Sequence, residues 1–481
     1  MLVIGGGVTG TGVAFDAASR GLRVALVERR DLANGTSRWS SKLAHGGLRY
    51  LRQAQFGVAW ESARERHVLM TATAPHLVRA LPFIAPLDGG LRPVLGAFSE
   101  AGMRAGDVMR MLSGTPRRVL PGPRRISVQE ALRFAPNLSS AGLRGAILFW
   151  DGQLEDDARL VIAIARTAAS HGARILTYCE ATVTGAGVVT LRDALGGESF
   201  EVRVSHIVNA AGVWADRITP SVRLRPSKGS HIVVRAGKLG DPRAAVVVPV
   251  PGASARWIGA TPTADGTVIV GVTDDEYSGP IVDVPVVTPD EERFMLGVLN
   301  HSLRIPLCHD DIAGRYAGFR PLLAGRQDNT ADLSRRHAIV SDPESGVITV
   351  VGGKLTTYRR MAQETVDALH IASLTTSRTT GLPLVGAAPP DVLSGVDAPQ
   401  RLVRRYGIEA TSIARMAARE PGLMEPVADG LQPLRVELRF GVLHEGALTV
   451  DDLLDRRVRL GVIAEDRRAA EPAAAAAIAA V

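Results

Sequence analysis

The first thirty residues constrain this chain more than any other stretch. Leu2-Val3-Ile4 is a short apolar run, and Gly5-Gly6-Gly7-Val8-Thr9-Gly10 reads G-x-G-x-x-G. An apolar periodicity from about Thr11 to Arg20 predicts a helix. A second apolar run, Arg23 to Val27, ends at Glu28. Strand, glycine turn, helix, strand and terminal carboxylate in this spacing are the dinucleotide-binding βαβ unit. Gly5, Gly6, Gly7 and Gly10 would let backbone approach a pyrophosphate at a helix N-terminus, and Glu28 would accept hydrogen bonds from ribose hydroxyls.

No second G-x-G-x-x-G follows. A diffusing nicotinamide is therefore less expected than a permanently held FAD. Three later segments fit that expectation. Asn209-Ala210-Ala211-Gly212-Val213-Trp214 ends an apolar strand in small residues, so backbone at Ala211 and Gly212 can pass close to a nucleotide. Gly352-Gly353-Lys354-Leu355-Thr356-Thr357 follows a strand and opens a helix, whose positive end would stabilise an anionic reduced flavin. Ser40, Ser41 and Lys42 form a turn whose hydroxyls and amides can bind flavin or pyrophosphate oxygens.

The length of 481 residues, 46% of them hydrophobic, suffices for two or three domains. Cys179 and Cys308 are the two cysteines, and neither lies in a metal-ligand spacing, so no metal and a reduced, cytosolic setting are expected. The net charge of +7 would favour anionic partners. Aromatics at 4% and the lack of any recognisable module argue against nucleic acid, leaving lipid and phosphate. No apolar run is long enough to span a bilayer. The chain runs straight into the nucleotide unit, so no signal peptide is expected, and Met1 to Ile4 leave room for a start slightly upstream.

Helical patterns are expected over about Gln55 to Ala74, 91–118, 155–172, 289–306 and, after Thr357, to about Leu369. The 91–118 stretch interleaves apolar residues with arginines. A core-packed helix with a solvated basic face is the plainer reading, and a helix lying on an anionic membrane the alternative. Strands are expected at Arg174–Tyr178, Ala181–Thr190, Phe200–Ser205 and Val347–Val351, and Ile207 to Gly212 reads as an apolar strand running into a glycine. Val/Ile-rich strands from about Arg223 to Thr273 suggest an inserted antiparallel sheet. Ser373–Pro390 reads as a linker, and the rest as helical with a fraying Ala-rich end.

The fold expected is thus α/β (α+β): a Rossmann-like FAD domain with an inserted antiparallel substrate sheet, then a helical C-terminal domain. The oxidoreductase part spans 1–374, with FAD-binding stretches at about 1–80, 150–222 and 330–374 and the sheet at about 223–329. The helical domain spans 391–481.

Several segments carry a more specific resemblance: Ser40 to Leu51 (SSKLAHGGLRYL), Asp156 to Leu160, Lys228-Gly229-Ser230-His231, Gly271 to Asp274, Gly318 to Leu322, and Gly352 to Arg359 (GGKLTTYR). With Gly5–Gly10, the chain resembles the FAD-dependent, quinone-linked glycerol-3-phosphate dehydrogenases, within the D-amino-acid-oxidase-like flavoproteins. The resemblance covers nearly the whole chain. Val213 replaces a usual proline, and Ala44 a usual larger aliphatic residue.

The resemblance implies oxidation of sn-glycerol 3-phosphate to dihydroxyacetone phosphate by hydride transfer to non-covalent FAD. Electrons would pass to a membrane quinone, from an enzyme held peripherally on the inner face of the cytoplasmic membrane. A homodimer is kept among the partners. A doubly charged substrate needs fixed cations. Arg49, Arg320 and Lys354 lie in matching segments, with Arg335 a further candidate that Arg336 could replace, and Tyr50 beside them; Thr273 and Asp274 could line the pocket or only shape a turn. His231 is the candidate base, since imidazole titrates near working pH. Arg320 could instead polarise the substrate hydroxyl. His45 and Gly47 are expected on the flavin side. An oxygen-using oxidase, a non-catalytic flavin sensor and, more weakly, an amino-acid oxidase are the alternatives.

Overall fold

A computed structural model of the chain describes residues 1–47, 55–88, 93–252, 256–324 and 336–481. The nucleotide unit forms as its sequence dictates. Leu2–Ile4 pairs in parallel with Ala25–Val27, and the helix Val8–Ser19 crosses between them. Gly5 has a φ of +114°, and a Cβ on Gly10 would stand 1.9 Å from the Gly5 carbonyl oxygen. Only glycine tolerates both the first conformation and the second contact.

A six-stranded sheet grows from this unit. Its order is His337–Ser341, Ile348–Gly352, Ile207–Asn209, Leu2–Ile4, Ala25–Val27, Arg174–Leu176. All neighbours run parallel except the first pair. The helices Val8–Ser19, Asp157–Ser170 and Tyr358–Asp367 contribute to one buried apolar cluster with its strands. The carboxylate of Asp156 caps the second of these helices, accepting from the Ala158 and Arg159 amides at 3.0 and 3.4 Å.

The antiparallel sheet is wider than the sequence suggests. Ser227–Arg235, Ala245–Pro249, Trp257–Pro262 and Thr267–Gly271 form as expected, yet among the described residues the sheet has ten strands. Val78–Asp88 and Leu143–Leu154 pair with each other, and the former joins Ala245–Pro249 in parallel. These strands lie far upstream, and their alternation alone does not reveal a partner so distant. A strand expected over Ala181–Thr190 is instead a hairpin, Cys179–Gly185 with Val188–Asp193, because Gly187 turns the chain at φ +70°.

The helix at Gln55–Ala74 appears as Phe56–Val68 followed by a π-turn over Leu69–Thr73. The 91–118 pattern yields a helix at Pro93–Leu112. Met109 packs on Val58 and Ala59, whereas Val108, Met111 and Leu112 face outward. The 289–306 pattern gives the shorter helix Pro289–Asn300, opened by a capping box between Thr288 and Glu291. The C-terminal part is helical, and its final helix, Ala464–Ala479, packs through Ala470 and Ala474 rather than fraying. Val213 and Ala44, the two departures from the family pattern, are both buried.

Candidate active site

One large cavity of about 1170 Å³ joins the glycine turn to the antiparallel sheet. At the first end the Glu28 carboxylate lines it, accepting from the Gly6 amide at 2.7 Å and the Arg30 amide at 2.9 Å. Burial pushes the Glu28 carboxyl above its ordinary value, and the two amides work against that rise. The Val8 amide, at the start of the helix, donates to Ser37 Oγ at 2.9 Å. Gly5, Gly7, Val8 and Thr9 line the same wall, so helix N-terminal amides face the cavity.

The later turns close on this wall. Asn209 donates to the Ala215 carbonyl at 2.8 Å and to Thr219 at 3.0 Å, and it accepts from the Ala211 amide at 3.2 Å. That buried amide side chain holds Ala211 and Gly212 against the cavity. On the far side Gly353, Lys354, Leu355 and Thr356 line it ahead of the helix Tyr358–Asp367. The Lys354 ammonium donates to Ser62 Oγ at 2.6 Å.

The second end lies over the sheet. His231 is 2% exposed, and its Nε2 lies 2.9 Å from Ser41 Oγ. Its ring stacks on Tyr316 at 4.5 Å, and Tyr316 in turn stacks on Trp39 at 5.7 Å. Burial, with help from the charges of Lys42 and Arg320, pulls the imidazole pKa well below its ordinary value. The ring is therefore neutral at working pH. Arg320 also lines the cavity: its Nη1 donates to Asp274 at 2.9 Å and to Ser227 at 3.2 Å, and Nη2 to the Thr273 carbonyl at 3.2 Å. A guanidinium held by three acceptors is a cation fixed in advance.

These features match a known group of proteins. Residues 1–359 match the family described as FAD dependent oxidoreductase, and residues 350–481 match the C-terminal domain of alpha-glycerophosphate oxidase. Over 478 residues the chain is 50% identical to glycerol-3-phosphate dehydrogenase 1 of Mycobacterium tuberculosis, covering 97% of this chain and 92% of that protein. The chain belongs to the FAD-dependent glycerol-3-phosphate dehydrogenase family. A more distant member, the glycerol-3-phosphate dehydrogenase of Synechocystis, is 30% identical over 506 residues, covering 97% and 89% of the two chains. The glycerol-3-phosphate dehydrogenase from Bacillus halodurans, solved in complex with FAD, aligns with a TM-score of 0.73 at 27% identity, covering 96% of this chain and 86% of that one.

This family member has a site that fits FAD. The cavity is long and continuous, and its glycine wall leaves backbone bare: a Cβ on Gly5 would stand 2.5 Å from the Ala210 carbonyl oxygen. The candidate residues fall into distinct places. Gly5, Gly7, Glu28, Ser40, Ser41, His45, Gly47, Ala211, Gly212, His231, Arg320, Gly353, Lys354, Leu355 and Thr356 all line the cavity. Four others do not. Gly6 and Gly10 shape the turn through the Glu28 bond and the contact with Gly5. Thr273 is buried and accepts from the Ser230 amide at 3.0 Å, so it supports the strand beneath Arg320. Lys42 turns away, its ammonium 2.7 Å from Asp157. Arg49, Tyr50 and Arg335 lie outside the described residues.

Sequence reasoning passed over several contributors. Asp151 receives Gly46 N at 3.0 Å, Arg66 Nη1 at 2.5 Å and His45 Nδ1 at 3.2 Å. Burial works against its charge, but Arg66 and His45 outweigh it and pull the pKa down to about 2. Trp39, Tyr316 and Ser37 were equally unmarked. Asp274, read with Thr273 as a pocket-lining or turn residue, does line the cavity. The others stand out only once distant strands are brought together.

Proposed function

We propose that this chain oxidises sn-glycerol 3-phosphate to dihydroxyacetone phosphate and passes the electrons to a membrane quinone. The observation that best supports the reading is the pinned guanidinium of Arg320 in the same cavity as the buried, neutral His231. The relatives named above are glycerol-3-phosphate dehydrogenases, which agrees with it.

In this reading Arg320, with Lys354, Arg49, Tyr50 and Arg335, binds the phosphate. FAD, when bound, supplies the two-electron acceptor. His231 takes the hydroxyl proton as the carbonyl forms, and Ser41 holds its ring in place. The low basicity of the free imidazole suits this order of events. Lys42 and Arg320 depress it before binding, and the two negative charges of the substrate offset them afterwards.

Membrane attachment draws support from one surface. Phe56, Trp60, Met111 and Leu112 are exposed apolar residues on neighbouring helices, and the Arg117 side chain, shortly after Leu112 in sequence, is 73% exposed. Among the described residues no helix is long and apolar enough to cross a membrane. Attachment to the inner face of the cytoplasmic membrane is the reading the family resemblance implies, to be tested by sedimentation with anionic against neutral vesicles.

A second reading, electron delivery to oxygen, is favoured by the oxidase that names the matching C-terminal domain family. Anaerobic addition of glycerol 3-phosphate should bleach the flavin absorbance. A protein that only senses or binds flavin would show no bleaching. Arg320→Ala should keep its flavin and bind substrate about 10- to 100-fold more weakly, the loss of one charged hydrogen-bonding group. Stoichiometric peroxide in air would replace the quinone reading with the oxidase one.

A further inference from the structure

The segment Asp156-Asp157 resembles the family pattern, yet the reading above leaves it without a task. Asp157 opens the helix Asp157–Ser170 and is completely buried. Its Oδ2 accepts from the Ser40 amide at 2.9 Å, from Ser40 Oγ at 2.7 Å and from Lys42 Nζ at 2.7 Å. The Lys42 ammonium also donates to the Arg38 carbonyl at 2.8 Å and the Ser40 carbonyl at 3.2 Å. One carboxylate and one ammonium therefore brace both sides of a five-residue turn. Lys42 sits at φ +57°, a conformation a non-glycine residue adopts only when its surroundings demand it.

This turn carries Ser41 to His231. Ser41 Oγ is the hydrogen-bonding partner of Nε2, and the Tyr316 hydroxyl, under the imidazole, donates to the Ser40 carbonyl at 3.0 Å. Ring, hydroxyl and turn form one polar unit whose far anchor is Asp157.

The C-terminal domain backs that anchor. Asp156 pairs with Arg405 at 3.0 Å, and Asp455 pairs with Arg38 at the same distance. Arg459, Asp156, Asp157 and Arg38 line a void of about 10 Å³ between the domains. Burial works against the charge of Arg459, but Asp265, Asp156 and Asp157 outweigh it and hold the guanidinium ionised. Two adjacent buried carboxylates need such counter-charges.

We propose that Asp157 is a positioning residue for His231, acting through the braced turn Arg38–Lys42, and that the C-terminal domain supplies the arginines that let it do so. The proposal rests on the reading of His231 as proton acceptor.

The test uses the full-length, FAD-loaded protein. Asp157→Asn alone leaves Lys42 buried without a counter-ion, so the paired variant Lys42→Met/Asp157→Asn is made beside it. His231→Gln is the control. Histidine Cε1 is labelled with carbon-13, and the His231 signal, assigned by its loss in His231→Gln, is titrated by NMR. Among the described residues the charged groups facing the ring are Lys42 and Arg320, with Tyr316 stacked beneath. Removing the Lys42 charge should raise the titration point towards 6.5, the ordinary value. In the paired variant kcat should fall at least tenfold while KM changes less than threefold and flavin content stays full. Parent-like kcat and titration in that variant, with His231→Gln inactive, would overturn the positioning role alone. An active His231→Gln would instead overturn the reading of the base.

Discussion

A methyl group on Gly229 would stand 2.4 Å from Nη2 of Arg320. The two residues belong to paired strands: Arg320 is opposite Ser227, and Gly229 lies two residues on, along the same face. The bare backbone makes the space in which the guanidinium reaches Asp274, Ser227 and the Thr273 carbonyl. Gly229→Ala should therefore displace Arg320 without removing it. We expect kcat/KM for glycerol 3-phosphate to fall about 10- to 100-fold, the scale of a lost charged hydrogen bond, with flavin content unchanged. Steady-state kinetics beside the flavin-to-protein absorbance ratio checks this, and a parent-like kcat/KM would show that Arg320 has no phosphate to hold.

The pH profile should carry the mark of His231. Burial and the charges of Lys42 and Arg320 keep its pKa well below 6.5 in the free protein. The acid limb of kcat/KM reports free-enzyme groups and should lie below that value. The limb of kcat reports the substrate complex and should lie higher, because bound phosphate opposes the two cations. Profiles of the parent and of His231→Gln, measured over the same range, would separate this limb from any other.

His76 offers a stability test away from the cavity. Burial, with a smaller contribution from the Arg159 charge, lowers its pKa from 6.5 to about 3. The unfolded chain then binds a proton that the folded chain refuses. The stability owed to a neutral His76 is present above 6.5 and is lost as pH falls from there towards 3. The slope approaches about 1.4 kcal/mol per pH unit for one such group. Urea unfolding at a series of pH values should show a shallower decline in His76→Gln than in the parent.

The clamp between the domains should be the costliest to break. Arg457 donates to both oxygens of Asp31, at 2.7 and 3.0 Å, and all of these atoms are buried. Arg457→Met would leave Asp31 with Arg456 as its remaining partner, at 2.6 Å. Destabilisation of about 3 kcal/mol is expected, the low end for a broken buried pair because Arg456 stays. Thermal unfolding should start earlier, and flavin should be released with the same midpoint, since Asp31 follows the strand that ends beside Glu28. A change below about 1 kcal/mol would show that the pair is dispensable.

Much of the nucleotide half was legible beforehand because its information is local. The turn at Gly5–Gly10, the carboxylate at Glu28 and the small residues at Ala211 and Gly212 are demanded by close backbone approach, and close approach leaves a mark on residue type. The sheet was less legible. Val78–Asp88 and Leu143–Leu154 pair with each other and extend it, and pairing partners so distant are chosen by register and burial, not by either strand alone.

By itself, then, the sequence determined the glycine turn and the family to which the chain belongs. Tertiary structure alone decided what the side chains do. Lys42 reads as part of a turn that binds flavin or pyrophosphate oxygens, but its ammonium is buried against Asp157, 115 residues away in sequence. Thr273 reads as a wall residue but sits behind Arg320 as a strut. A buried charge goes wherever a counter-charge and hydrogen bonds meet it, and those partners come from elements that only folding brings into contact.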